Sequence, residues 1–154
     1  YGWILGRLTT AGWREVALVV PYALASTVVI LLHRRLLDVL ALGDDEARSL
    51  GVRAARVRLV VVAAATLATA AAVAVSGLIG FVGIIVPHTV RLLVGSSHRL
   101  LAPLSLVAGA AFLILADLVA RTVMAPAELP IGVVTAFFGA PFFALVLRGS
   151  RQAP

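Results

Sequence analysis

Arg58-Leu59-Val60-Val61-Val62-Ala63-Ala64-Ala65-Thr66-Leu67-Ala68-Thr69-Ala70-Ala71-Ala72-Val73-Ala74-Val75-Ser76-Gly77 is the stretch on which the fold turns. From Leu59 to Val75 it carries no charge, and coiled as a helix it shows no polar face. A soluble core helix is therefore a poor fit. About 17 residues rise roughly 25 Å, slightly short of the ~30 Å hydrocarbon core, and interfacial extension at either end makes up the difference. Four similar runs lie around it: Val16 to Leu32, Leu78 to Val94, Leu101 to Ala116 and Ile131 to Leu147. None shows the ten-residue dyad alternation of a transmembrane β-strand. The fold expected is an all-α polytopic transmembrane bundle of about five spanning helices.

Composition agrees. Of 154 residues, 62% are hydrophobic and 13% charged, against about half and a quarter in soluble domains. Mean hydropathy is +1.09. All 13 basic residues are Arg, and cysteine is absent. That inventory excludes Schiff-base and P-loop lysines, disulfide frameworks, thiolate metal sites and cysteine nucleophiles. The net charge of +6 does not point to nucleic acid, because the Arg residues fall in gaps between apolar runs instead of along a solvated polar face.

Arg placement sets an orientation. One side collects Arg34, Arg35, Arg48, Arg53, Arg56, Arg58, Arg91, Arg99, Arg148 and Arg151; the other has only Arg7, Arg14 and Arg121. Ten against three puts the C-terminus in the cytoplasm and the N-terminus outside. Tyr1 begins neither with an initiator Met nor with a signal peptide. A fragment or processed half is expected.

Before the third run the Ser76-Gly77 turn leaves little room for a loop, and within it Gly80, Gly83 and Pro87 weaken a regular helix. They read either as sites of close helix packing or as a segment beside a transport route. Gly132, Ala136 and Ala140 recur at four-residue spacing and make a flat strip for helix approach, inside the subunit or between subunits.

The longest cytoplasmic segment, 37–58, contains Leu42-Gly43-Asp44-Asp45-Glu46-Ala47-Arg48-Ser49-Leu50-Gly51. Gly43 breaks the chain and Asp44 is a good N-cap; Asp45 and Glu46 favour the first turn, and Gly51 suits the C′ position. The segment is expected to form one or two short helices outside the membrane, with Leu42, Ala47 and Leu50 as an apolar face. They make either a solvated hairpin or a docking element for a soluble partner. Asp117 and Arg121, spaced i, i+4, suit an intrahelical pair at the outer end of the fourth run. Arg121 either snorkels to the headgroups or, with Glu128 further along the chain, presents charge to an outer partner. His33, His88 and His98 match no metal spacing, so no metal site is expected. An intramembrane enzyme using Asp117, His88 or Glu128 is the competing class, and the placement of these residues on different spans and faces counts against it; a non-transporting structural membrane fragment is a third reading, compatible with a transport subunit.

The run from Leu42 to Val52 resembles the cytoplasmic loop of the FecCD-type permeases, the membrane subunits of bacterial ABC importers for iron-siderophores, haem and cobalamin. The run Gly77-Leu78-Ile79-Gly80-Phe81-Val82-Gly83-Ile84-Ile85-Val86-Pro87-His88-Thr89-Val90-Arg91 is similar to the most recognisable signature of that family. Ala116 to Arg121, Glu128 to Thr135 and Gly139 to Phe142 together resemble its C-terminal signature, and Trp3 to Gly6 its loop before the sixth helix. The resemblance implies a single permease domain over 1–154, the C-terminal half of a ten-span fold, with 37–58 as a coupling loop. It implies a transport subunit of the inner membrane, not an enzyme, and no cofactor. The partners implied are a cytoplasmic ATP-binding subunit seated on Leu42–Gly51, an extracytoplasmic solute-binding protein at Arg121, a second permease copy or the N-terminal half, and the lipid bilayer. Substrate would move by alternating access.

Overall fold

Charge ends an apolar run without ending a helix. The computed structural model, which describes residues 6, 8, 12–124, 127 and 129–150, has α1 running from Trp13 to Leu40. It continues straight through His33-Arg34-Arg35, beyond the apolar run, because Arg and Leu are both good helix formers. At its start the Glu15 carboxylate accepts a hydrogen bond from the Gly12 N–H at 2.9 Å. The extension carries Asp38 well past the lipid-facing part of the helix.

The remaining elements are α2 (Asp44–Ser49), α3 (Ala54–Ser76), α4 (Val82–Val94), α5 (His98–Thr122) and α6 (Ile131–Ser150), and every regular element among the described residues is a helix. Of these, α1, α3 and α5 are long and apolar enough to cross a membrane alone. α4 is shorter, and α6, 20 residues in all, is apolar over Ile131–Ala144. All five expected runs therefore carry an apolar helix. At 13 residues, α4 rises only about 20 Å.

The third run fails to form one helix at an unexpected place. α4 passes through Pro87 unbroken, and the non-helical segment is Gly77 to Phe81. Gly77 ends α3 at φ +70°, and Phe81 starts α4 in the left-handed region at φ +66°. One proline removes a single bond from an otherwise complete ladder, whereas a left-handed residue at each end of the segment turns the chain out of the helix altogether.

α1 packs along α3 and touches α5; α4 lies on α5 and α6, and α6 also meets α5. Two small clusters form the interior. Ala116 and Ala120 of α5 meet Ile131 and Val134 of α6, with Leu113 and Ile79 against them. Val86 and Val90 of α4 meet Leu101 of α5, with Phe112 and Val94 beside them. Outside these, the surface is apolar: Leu59 is 70% exposed, Leu93 80% and Phe137 74%. An apolar surface of that extent is covered by lipid or by other protein.

Candidate functional site

α2 is six residues long, and its sequence explains both ends. Gly43 occupies the N-cap, so the expected capping role of Asp44 is corrected: Asp44 is the first helical residue and is engaged elsewhere. Its carboxylate takes two hydrogen bonds from the Arg58 guanidinium of α3, at 2.5 and 3.1 Å. Those bonds hold the Asp44 carboxyl below its ordinary pKa, against a smaller opposing effect of desolvation, and Arg48 adds attraction. At the other end, Gly51 lies at φ +75°, its N–H reaches the Arg48 carbonyl at 2.9 Å, and the Val52 N–H reaches the Ala47 carbonyl at 2.9 Å. This is a Schellman closure, with Gly at the C′ position where a left-handed residue is required.

The expected apolar face of α2 divides in two. Ala47 is fully buried, facing the chain, while Leu42 and Leu50 are exposed on either flank. Asp45 pairs with Arg48 at 3.5 Å in a setting almost wholly open to solvent. Ser49 turns its hydroxyl back to the Glu46 carbonyl at 2.7 Å. The segment thus offers two leucines and a band of alternating charge outward, held against α3 by Arg58.

A second polar node was not legible in the sequence. Asp38, near the end of α1, accepts hydrogen bonds from the His98 N–H at 2.6 Å, from His98 Nδ1 at 2.9 Å and from the Ser97 hydroxyl at 3.0 Å. Arg99 Nε lies 3.8 Å away. The first turn of α5 contains no acid, and Ser97 at its N-cap makes no side-chain capping bond. Asp38 therefore caps α5 from 60 positions away, placing a carboxylate where the helix dipole is positive. The missing local cap after Ser96-Ser97 was the available signal.

At the opposite end of α5, Arg121 Nε donates to Asp117 at 2.7 Å, the i, i+4 pair expected. Glu128 lies outside the described residues, as do Trp3 to Leu5. His88 meets Phe142 of α6 edge-on, with ring centroids 5.7 Å apart. Asp117 and His88 are thus engaged on different helices with different partners, and the geometry unites no enzymatic set from them.

The glycine readings are revised. Gly77 is buried, but Gly80 and Gly83 are exposed, and an added Cβ at either would meet nothing within 4 Å. Helix packing does not account for them, because among the described residues no helix approaches them. Close approach occurs at Gly139, where an added Cβ would run into the Phe81 ring. The buried face of α6 is Ile131, Val134, Thr135 and Gly139; Gly132 and Ala136 are half-buried and Ala140 is exposed. The small-residue strip is thus turned away from the interior that α6 shares with α5. Pro87, half-buried, sits within α4.

A profile of the FecCD transport family matches residues 1–149. The chain belongs to that family. Among FecCD-like relatives, an uncharacterized ABC transporter permease of Bacillus subtilis is 47% identical over 154 residues, 97% of this chain and 44% of that protein. A cobalamin import system permease of Halobacterium salinarum is 44% identical over 146 residues, 95% of this chain and 39% of that protein. A hemin transport system permease of Yersinia pestis is 41% identical over 151 residues, 97% of this chain and 45% of that protein. The chain thus spans less than half the length of these relatives. A metal-chelate-type ABC transporter solved in an inward-facing conformation superposes with a TM-score of 0.90 at 36% identity, covering 96% of this chain and 47% of that one. This FecCD chain is a multi-pass membrane protein of a transport family, and the three runs that carried the resemblance fall on α2, on the Gly77–Phe81 break with α4, and on the junction of α5 with α6.

Proposed function

We propose that the chain is part of the permease subunit of a bacterial ABC importer for an iron-siderophore, haem or cobalamin. The substrates named for the relatives, cobalamin and hemin, and the metal-chelate class of the structural neighbour support that range. Leu42, Gly43, Asp44, Asp45, Glu46, Ala47, Arg48, Ser49, Leu50 and Gly51 contact a cytoplasmic ATPase subunit. The observation that carries this reading is α2 itself: a capped helix of six residues tied to α3 by Arg58, with Leu42 and Leu50 turned outward. A solvated hairpin gains nothing from exposing two leucines on a fixed frame.

The mechanism rests on where α2 is anchored. An ATP-bound partner that prefers one position of α2 shifts the permease toward the arrangement containing it. Displacement of α2 passes to α3 through Arg58–Asp44 and to α5 through Asp38 at the end of α1. Gly77, Gly80, Gly83 and Pro87, with Gly132, Ala136 and Ala140, border the pathway or the contact with a second permease copy. At the outer end, Arg121 and Glu128 meet a solute-binding protein. The domain is one permease unit with 37–58 as its coupling loop, in the inner membrane with its C-terminus in the cytoplasm.

The test uses the full-length permease co-expressed with its ATPase. Leu50→Ala, or charge reversal at Glu46, should weaken co-purification of the ATPase and lower ATP-driven uptake in proteoliposomes. Unchanged co-purification and uptake would sink the assignment of α2.

A further inference from the structure

Between α2 and the base of α3 lies a cleft of about 510 Å³, lined by Asp44, Arg48, Arg53, Ala55, Arg56 and Arg58 among others. Four guanidinium groups face one carboxylate there. Arg58 is committed to Asp44, and Arg48 to Asp45. Among the described residues, Arg53 and Arg56 have neither an ion-pair partner nor a side-chain hydrogen bond, and the cleft holds an uncompensated double positive charge.

The cleft is not isolated. The apolar part of α3 begins one residue beyond Arg58, at the exposed Leu59. A second groove of about 490 Å³ runs along the same helix, lined by Val62, Ala65, Thr66, Thr69 and Val73. Arg58, Val62, Thr66, Thr69 and Val73 succeed one another at three- and four-residue steps and so share one helix face. From Val62 to Val73 the groove is about 16 Å long, close to half of the ~30 Å hydrocarbon core. The basic cleft and the apolar groove thus follow one another along α3, the groove being about one leaflet long.

We propose that this composite site binds an anionic phospholipid, its phosphate held by Arg53 and Arg56 and one acyl chain laid along α3. The chemistry is phosphodiester recognition: guanidinium forks match phosphate oxygens in pairs. Basic clusters at the membrane boundary are suited to anionic headgroups. The apolar groove separates this occupant from a soluble phosphate, which has nothing to place there. The assignment requires only that α3 lies in a bilayer, and it stands apart from the transport reading.

The test is native mass spectrometry of the detergent-purified full-length permease, titrated with phosphatidylglycerol and with phosphatidylcholine of identical acyl chains. Phosphatidylglycerol should be retained at least tenfold more strongly. Arg53→Gln with Arg56→Gln should lower its retention roughly 30-fold, on the basis of about fivefold for each Arg. Arg53→Lys with Arg56→Lys, which keeps the charge but loses the paired fork, should fall between the native protein and the Gln pair, and Arg148→Gln, outside the cleft, should change nothing. Ala65→Phe, which fills the groove, should lower retention of phosphatidylglycerol without altering the protein's dispersity. Four results would overturn the proposal. They are equal retention of the two lipids, indifference to the paired Gln substitutions, an equal loss in Arg148→Gln, or displacement of the lipid by millimolar inorganic phosphate. Indifference to Ala65→Phe would remove the acyl groove and with it the phospholipid as occupant.

Discussion

The two ends of α5 are held in opposite ways. At the His98 end, His98 and Ser97 are bound by Asp38, 60 and 59 positions away, and α2, which packs on α1 and α3, is bound by Arg58, 14 positions away. At the Thr122 end, the polar pair is Arg121 with Asp117, four positions apart on one helix. Bonds between helices move their partners together; a bond within one helix constrains only that helix. The His98 end is therefore tied between helices, α1 to α5, with α2 tied to α3 nearby in the chain's fold, and the Thr122 end carries a pair within α5 alone.

The strongest way to break that contrast is Asp38→Ala. It removes a remote cap and leaves the His98 N–H and the Ser97 hydroxyl without their acceptor. Loss of a charged cap with its accompanying bonds costs about 2 kcal/mol. The full-length permease should melt at a lower temperature. If the link also transmits motion, ATP hydrolysis by the assembled transporter should persist while uptake falls. Asp38→Asn, which keeps an acceptor, should restore most of the melting temperature, and the coupling ratio then reports on the link separately from stability. A variant that melts lower but transports in proportion to its folded fraction would make Asp38 a cap alone.

A smaller effect is expected at Arg58, where the linkage has a pH signature. The Asp44 carboxyl has its pKa lowered in the folded state, so the attachment of α2 is fully present above the unfolded-state value near ~3.9. It is lost as pH falls through the lower, folded value. Protection of the α2 amides from hydrogen exchange should thus be flat through neutral pH and drop only at strongly acid pH. Arg58→Gln should raise the pH of that drop toward the unfolded value and slightly loosen α2 at neutral pH. A drop at the same pH in both proteins would mean that Arg58 does not hold α2. The pair is exposed, so the change in global stability should be small.

Apolar patterning made the five long runs legible, and turn chemistry made α2 legible to within a residue, Gly51 included. What sequence could not supply was anything set by contact between helices. Asp38 sits in a leucine-rich run and gives no local hint that it caps α5. Asp44 has the right identity for an N-cap, yet Arg58 offers a charged partner and Gly43 takes the cap instead. Gly80 and Gly83 have the small size that permits close approach, but the close approach occurs at Gly139, against a Phe81 whose left-handed φ no propensity would assign. Residue type limits which contacts are allowed; which of them forms is decided by the other helices.

The outer pair gives the smallest effect and the cleanest separation of two readings. An exposed i, i+4 ion pair contributes about 0.3–0.5 kcal/mol, so Asp117→Asn should hardly move the melting temperature. It leaves Arg121 charged and uncommitted, and affinity for the solute-binding protein should hold or rise slightly. Arg121→Glu costs a similarly small amount of stability but reverses a charge at the proposed docking surface. It should slow association with the binding protein, and the loss should shrink as salt is raised, as a rim charge requires. Surface plasmon resonance at two ionic strengths measures both variants. Equal and negligible changes in the two would reduce Arg121 to a headgroup anchor, and the outer end of α5 would then carry no docking function at all.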